Sequence, residues 1–180
     1  MFPSTGVFIC QCGGNISDAV DIPWIKERLR EEGVEVVRDF PYLCSEEGQA
    51  VIRRLVGSGG VDRVVVAACS PSMHEHTFRS CARSEGLNPG MVDIANIREQ
   101  CAWADSHDAT GHALDVIRSS VFAMQYAVPH EDRTMEVQRK AAVIGGAISG
   151  ITAARSLSSL GIITYLIEQG PTIGGNMVKV

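Results

Sequence analysis

The sequence predicts an α/β fold, a Rossmann-like parallel sheet with flanking helices followed by a truncated βαβ piece, and three observations carry that reading. Strand and helix signals alternate along the chain, as the crossovers of a parallel sheet require. Helix starts are marked by capping residues, most clearly Ser70-Pro71. After a polar stretch, a second strand, glycine turn and helix begin at Lys140.

Taken in order, GVFICQC (6–12) reads as the first strand. After Gly13-Gly14 a helix opens near Asp21, with Ile22, Ile25 and Leu29 at helical spacing and Gly33 as its stop. VEVVRDF (34–40) is the second strand, and Ser45 then caps a helix carrying Val51, Ile52, Leu55 and Val56, closed by GSGG at 57–60. VDRVVVAAC (61–69) is the third strand. Ser70 caps the next helix, and Pro71 sits where its missing N–H costs nothing. Following GLNPG (86–90), MVDIANI (91–97) gives a fourth strand, and NIREQCAW reads as a loop. A long helix is expected from about Ser106 to Ala127, burying Leu114, Ile117, Val121 and Met124. The expected organisation is a cysteine-rich domain at 1–128, a linker at 129–139 and an incomplete dinucleotide-binding βαβ unit at 140–180.

A chain of 180 residues buries about 70% of its unfolded surface, so disulfide staples are not needed. A formal charge of −5 offers no basic stripe for phosphates, which argues against a nucleic-acid partner. No apolar run is long enough for a transmembrane segment, and MFPSTGVFIC lacks the basic start of a secretory signal, so a cytoplasmic location is expected. Six cysteines are many for a reducing compartment, where thiols more often serve metals or redox chemistry.

Their positions are informative. In a parallel sheet every strand-to-helix turn opens on one edge. Cys10 and Cys12 end the first strand, Cys44 follows the second, Cys69 ends the third and Cys101 lies just past the fourth. Two apart on a strand, Cys10 and Cys12 are expected to share a face, while Cys44 and Cys69 precede helix starts whose partial positive charge favours a thiolate. Four converging thiolates suit a [4Fe-4S] cluster or a closed zinc site, although free cysteine also serves as a small hydrophobe at strand ends. Cys81, within a helix, is read as core packing. His74, His76, His107 and His112 read as ordinary polar residues, and Arg53, Arg54, Arg79 and Arg83 as solvated helix faces.

VIGGAISG (143–150) lies between a strand and a helix, with Glu168 ending the next strand. Gly145, Gly146, Ala147 and Gly150 make the expected pyrophosphate turn, and Glu168 the ribose contact. Ala147 stands where the fingerprint has its second glycine, which weakens the expected binding. Gly174 and Gly175 in GPTIGGNM supply a further glycine pair after the acidic residue, similar to the arrangement that two-dinucleotide flavoproteins have near the flavin.

Five ordered blocks, GVFICQCGGNI, YLCSEEGQ, VVVAACSPSMHEHTF, GLNPGMVDIANIREQCAW and VIGGAISGITAARSL, make the chain resemble the N-terminal portion of the heterodisulfide reductase A subunit, including related proteins of sulfate reducers and other anaerobes. The resemblance implies an iron-sulfur flavoprotein of anaerobic electron transfer. Proteins of this family carry FAD and several [4Fe-4S] clusters and relay or bifurcate electrons. They dock with other heterodisulfide reductase subunits and with a hydrogenase or formate dehydrogenase module. By motif match, Cys10, Cys12, Cys44, Cys69 and Cys101 fall in the family's cysteine blocks, with four of them holding a cluster. Gly145, Gly150, Glu168, Gly174 and Gly175 fall on its FAD motif. Ala147, Ser72 and His76 depart from the common wording, and Cys81 lies outside it. The rest of the flavin domain and the C-x2-C ferredoxin inserts are absent from this sequence, so the expected FAD site is partial and completed by a missing region or a partner chain. Homo-oligomerisation stays open. Two other readings compete with the electron-transfer module: a zinc-bound or metal-free scaffold that docks redox partners, and a dithiol enzyme with Cys10 or Cys12 as nucleophile.

Overall fold

The computed structural model describes residues 4–104, 107–131 and 133–179. The chain divides into two compact units, Met1–Glu131 and Asp132–Val180.

In the first unit, β1 (Thr5–Cys10), β2 (Val36–Phe40), β3 (Arg63–Ala68) and β4 (Val92–Asn96) form one parallel sheet in the order β2-β1-β3-β4. The helices are α1 (Ile22–Glu31), α2 (Glu46–Gly57), α3 (Pro71–Arg83) and α4 (Ala109–Gln125). Right-handed crossovers send α1 to one face and α2 and α3 to the other, and α4 packs with α1. The middle strands are covered on both faces: Val7, Phe8, Ile9, Val64, Val65 and Val66 are fully buried.

Local chemistry explains the helix starts. The Asp21 carboxylate accepts from the Trp24 amide (3.0 Å), and α1 buries Ile22, Ile25 and Leu29 before Gly33 turns the chain at φ +91°. The Ser45 hydroxyl accepts from the Gly48 amide (3.1 Å) to open α2. Gly48 is required there, since a Cβ would lie 2.3 Å from the Tyr42 carbonyl oxygen. Ser70 accepts from Ser72 to open α3 with Pro71 in the first turn. Asp108 accepts from Gly111 (2.8 Å) to open α4.

Several expectations are corrected. The first strand stops at Cys10, because Gln11 turns to helical dihedrals and Cys12 takes φ +55°. Cys10 and Cys12 therefore do not share a strand face. The other strands are also shorter than read: β2 starts at Val36, β3 spans Arg63–Ala68 and β4 ends at Asn96. NIREQCAW is no loop, for Arg98–Ala102 winds into a π-helical turn. The long helix begins at Ala109 where Asp108 caps it; its expected start at Ser106 lies outside the described residues. Leu114, Ile117 and Met124 are buried as expected, and Val121 is half-buried.

The second unit holds β5 (Lys140–Ile144), α5 (Ile148–Ser159) and β6 (Ile163–Ile167), with the two strands parallel. Ile144, Ile163, Tyr165 and Ile167 are exposed. Among the described residues no helix is long and apolar enough to cross a membrane.

One ion pair ties α1 to β2. Burial pushes the Asp39 carboxyl up, but hydrogen bonds from Lys26 and Gln11 (2.8 Å) and the Lys26 charge outweigh it and hold the group below its ordinary value. A carboxyl that titrates lower in the folded state contributes stability above its unfolded value, about pH 4. That contribution is lost as pH falls through the folded value. Asp39→Asn is expected to cost about 1–2 kcal/mol at pH 7, read by urea unfolding, with the difference from wild type shrinking as pH falls below about 4.

Candidate cysteine-rich site

A strand order of β2-β1-β3-β4 reverses direction between β1 and β3, and the crevice outside the carboxyl ends at such a switch point is where open α/β sheets bind ligands. Cys10 is the last residue of β1, and Cys69 immediately follows β3. Two interlocking turns complete this rim. The Gln11 amide donates to the Phe40 carbonyl (2.9 Å), and the Gly13 amide to the Pro41 carbonyl (3.3 Å). The Leu43 amide donates to the Cys10 sulfur (3.4 Å). Gly13, at φ +59°, sits so close to Tyr42 that a Cβ would approach its hydroxyl to 2.3 Å. This docking places Cys44 near Cys10.

Cys12 is the one non-glycine residue with positive φ among those described. A residue with a Cβ pays about 1–2 kcal/mol to stand there, and such strain concentrates at functional sites. Its sulfur accepts a hydrogen bond from Arg98 Nη1 (3.1 Å). Arg98 also forks its Nε (3.2 Å) and Nη2 (2.8 Å) onto Glu99 Oε1 and stacks 4.5 Å from the Trp103 ring centroid. Glu99 Oε2 in turn accepts from the Ser70 amide (2.9 Å) at the start of α3. Arg98 and Glu99 escape a reading of the sequence; the signal is a charged pair directly after a strand and two residues before Cys101, but only the π turn aims them at the rim.

The cysteines are not equivalent. Cys10 lies within electrostatic reach of Cys12 and Cys44, and Cys69 within reach of Cys12. Cys101 is fully buried in the core, its sulfur 4.0 Å from the Asn96 carbonyl oxygen. Cys81 is core packing as expected, donating to the Gln49 carbonyl (3.4 Å) between α2 and α3. Burial pushes the Cys10 thiol from 9.0 up to about 11, against the Leu43 amide that lowers it. Burial also raises Cys69, against the Arg98 charge. The expectation that Cys69 is a thiolate is thus corrected: desolvation at a buried strand end, with the nearby Glu99 charge, outweighs the Arg98 charge. Among the described residues no three His, Cys, Asp or Glu side chains stand ready to hold a metal ion.

On the α1 side of the rim lies a cleft of about 570 Å³ lined by Gln11, Asp18, Asp21, Asp39 and Thr110 among others. Carboxylates repel phosphates, so this cleft disfavours the nucleotide that many doubly wound sheets bind at the rim.

In the second unit Gly145 takes φ +100°, and a Cβ on Gly150 would lie 1.8 Å from the Gly145 carbonyl oxygen, so both positions require glycine. The Glu168 carboxylate accepts from the Gly146 (2.6 Å) and Gly170 (2.8 Å) amides, and these bonds hold it below its ordinary value. Its oxygens thus brace the turn. Gly174, at φ +117°, donates to the Gly146 carbonyl (2.7 Å). A Cβ on Gly175 would lie 2.8 Å from the Ala147 Cβ, so the later glycine pair makes room for the Ala147 methyl. The turn thereby tolerates the departure at position 147.

No family model matches the chain. Curated proteins do: over 176 residues, 97% of this chain, it is 43% identical to the A subunit of ferredoxin:CoB-CoM heterodisulfide reductase of Methanosarcina acetivorans. The chain is related to the heterodisulfide reductase A subunit. It is also 44% identical over 181 residues, 98% of its length, to a protein of Archaeoglobus profundus described as like the heterodisulfide reductase A subunit. A third relative, 42% identical over 181 residues and again 98% of this chain, is one of the iron-sulfur A subunits of CoB–CoM heterodisulfide reductase of Methanopyrus kandleri. The chain spans 22%, 26% and 28% of these three relatives, about a quarter of their length.

Burial sets the order in which thiols of the metal-free protein react. Cys12 and Cys44, half-buried, are expected to be alkylated by iodoacetamide ahead of Cys10, Cys69, Cys81 and Cys101. At pH 8 Cys10 should react about a hundredfold more slowly than an ordinary thiol, as read by mass spectrometry of a time course.

Proposed function

We propose that this chain is an electron-transfer module of an oxidoreductase like the heterodisulfide reductase A subunit. In this reading the rim holds a [4Fe-4S] cluster and the second unit contributes the pyrophosphate loop of an FAD site. What supports the reading is that Cys10, Cys12, Cys44 and Cys69 lie at or just past the carboxyl ends of three strands on one rim of the sheet, with Cys10 close to Cys12 and Cys44 and Cys69 close to Cys12. Four thiols are the count a cluster needs, although among the described residues no three such side chains are placed to hold a metal ion. Kinship with a protein named for its iron-sulfur content supports the same assignment.

When bound, the cluster supplies one-electron transfer without proton chemistry. The chain's own residues do the rest. Cys10, Cys12, Cys44 and Cys69 would hold the iron, with Cys12 and Cys44 on turns near Cys10. Burial of Cys10 and Cys69 keeps water from the sulfurs. We assign Cys101, sealed in the core, to packing. In the second unit Gly145, Gly146, Ala147 and Gly150 offer the α5 start to a pyrophosphate, Gly174 and Gly175 back that turn, and Glu168 holds its amides. Partners in this reading are the other heterodisulfide reductase subunits and a hydrogenase or formate dehydrogenase module, in the cytoplasm.

Anaerobic purification, reconstitution with iron and sulfide, and EPR after dithionite reduction test the reading. Four irons per chain are expected, with the signal lost in Cys10→Ser, Cys12→Ser, Cys44→Ser and Cys69→Ser. Cys81→Ala should keep it. Cys101→Ser should also keep it while losing about 1–3 kcal/mol of stability, because a hydroxyl replaces a buried thiol. Zinc bound with no EPR signal would instead establish the scaffold.

A further inference from the structure

We infer that Asn88 is the clasp of a strap: it grips the backbone of His130 and so fixes where the chain leaves the first unit, at the amino end of the sheet and away from the cysteine rim. The inference goes beyond the proposed function and depends on neither the cluster nor the flavin.

The clasp is a side chain that bonds as a neighbouring strand would. Asn88 Nδ2 donates to the His130 carbonyl (2.8 Å), and Asn88 Oδ1 accepts from the His130 amide (3.1 Å). Giving and taking one bond with the same residue is the exchange made by a hydrogen-bonded pair in an antiparallel sheet. Only this orientation of the side-chain amide satisfies both groups of His130. The same Oδ1 accepts from the Gly90 amide (2.9 Å) and caps the short 3-10 turn at Pro89–Met91, directly before β4. Gly90 makes room for the strap, since a Cβ there would lie 2.5 Å from His130 Cδ2. Its φ is not in the left-handed region, so space for the His130 ring is what calls for glycine.

Two guanidinium groups secure the fastening points. Arg63, the first residue of β3, donates from Nε to the Met124 carbonyl (2.6 Å) and from Nη2 to the Ala127 carbonyl (3.5 Å), which sets a cation 16% exposed on the C-terminal carbonyls of α4. Arg79 on α3 donates to the Pro89 carbonyl and ties the 3-10 turn to that helix. The strap is therefore held at Ala127 beside the start of β3 and at His130 beside the start of β4. Between α4 and Glu131, the last residue of the first unit, the chain has no helix or strand bonds of its own. Without the clasp this segment lifts away at little cost, and the exit moves back toward the end of α4.

Amide hydrogen exchange of the full chain, followed residue by residue by NMR, tests the strap. Protection of the amide at position 130 is expected to fall about tenfold in Asn88→Ala, which removes both bonds. Asn88→Asp keeps the acceptor for the amides of Gly90 and His130 but turns an oxygen toward the His130 carbonyl, so it should lower protection at 130 while leaving Gly90 protected. Gly90→Ala should lower it as well, because the new methyl displaces the His130 ring, and adding His130→Ala should restore it. The Val65 and Val66 amides, in a fully buried strand, are expected to stay protected throughout. Unchanged protection at 130 in Asn88→Asp and in Gly90→Ala overturns the strap. Where Asn88→Ala also exposes Val65 and Val66, the Gly90 pair decides: recovery in the double variant supports the strap, and its failure to recover overturns it.

Discussion

Because β1, β2, β3 and β4 all run the same way, their carboxyl ends share a single rim, and every feature of the first unit depends on that constraint. Crossover helices cover both faces, so the turns between strand and helix are left as the place where chemistry is exposed. The order β2-β1-β3-β4 opens a gap where successive connections leave in opposite directions, between β1 and β3. Cys10, Cys12, Cys44 and Cys69 all lie along this rim although the second and third strands and the first two helices of the unit intervene between them in the chain.

What turns a shared rim into a site is the contact between loops. The turn after β1 and the turn after β2 exchange backbone and sulfur hydrogen bonds, and both rely on glycine where a side chain would collide: Gly13 under Tyr42, and Gly48 against the Tyr42 carbonyl. Cys12 stands in a left-handed conformation that the surrounding bonds over-determine. From the opposite side, the π turn after β4 brings a guanidinium to the same sulfur. Desolvation then works against ionisation, so the metal-free thiols at Cys10 and Cys69 are held protonated.

The second unit obeys a different constraint, the close approach of backbone to backbone. Gly150 lets α5 begin almost in contact with the Gly145 carbonyl, and Gly175 lets the later turn close over Ala147. Glu168 braces both turns through backbone amides and is therefore a structural residue of the loop. A carboxylate has about four acceptor sites, so the two amides leave its remaining lone pairs free for a hydroxyl donor.

The sequence by itself determined the alternation of elements, the caps at Asp21, Ser45 and Ser70-Pro71, and the placing of Cys10, Cys44 and Cys69 at strand ends. These are local signals: capping needs neighbours within a few residues, and burial follows from periodicity. Tertiary structure alone decided which thiols meet, that Cys12 leaves the strand, that Cys101 turns into the core, and that Arg98 and Glu99 belong to the rim. No window of sequence reports these facts, because each depends on a distant partner, as Cys12 and Arg98 are 86 residues apart, on burial, or on a π turn whose residues look like a loop.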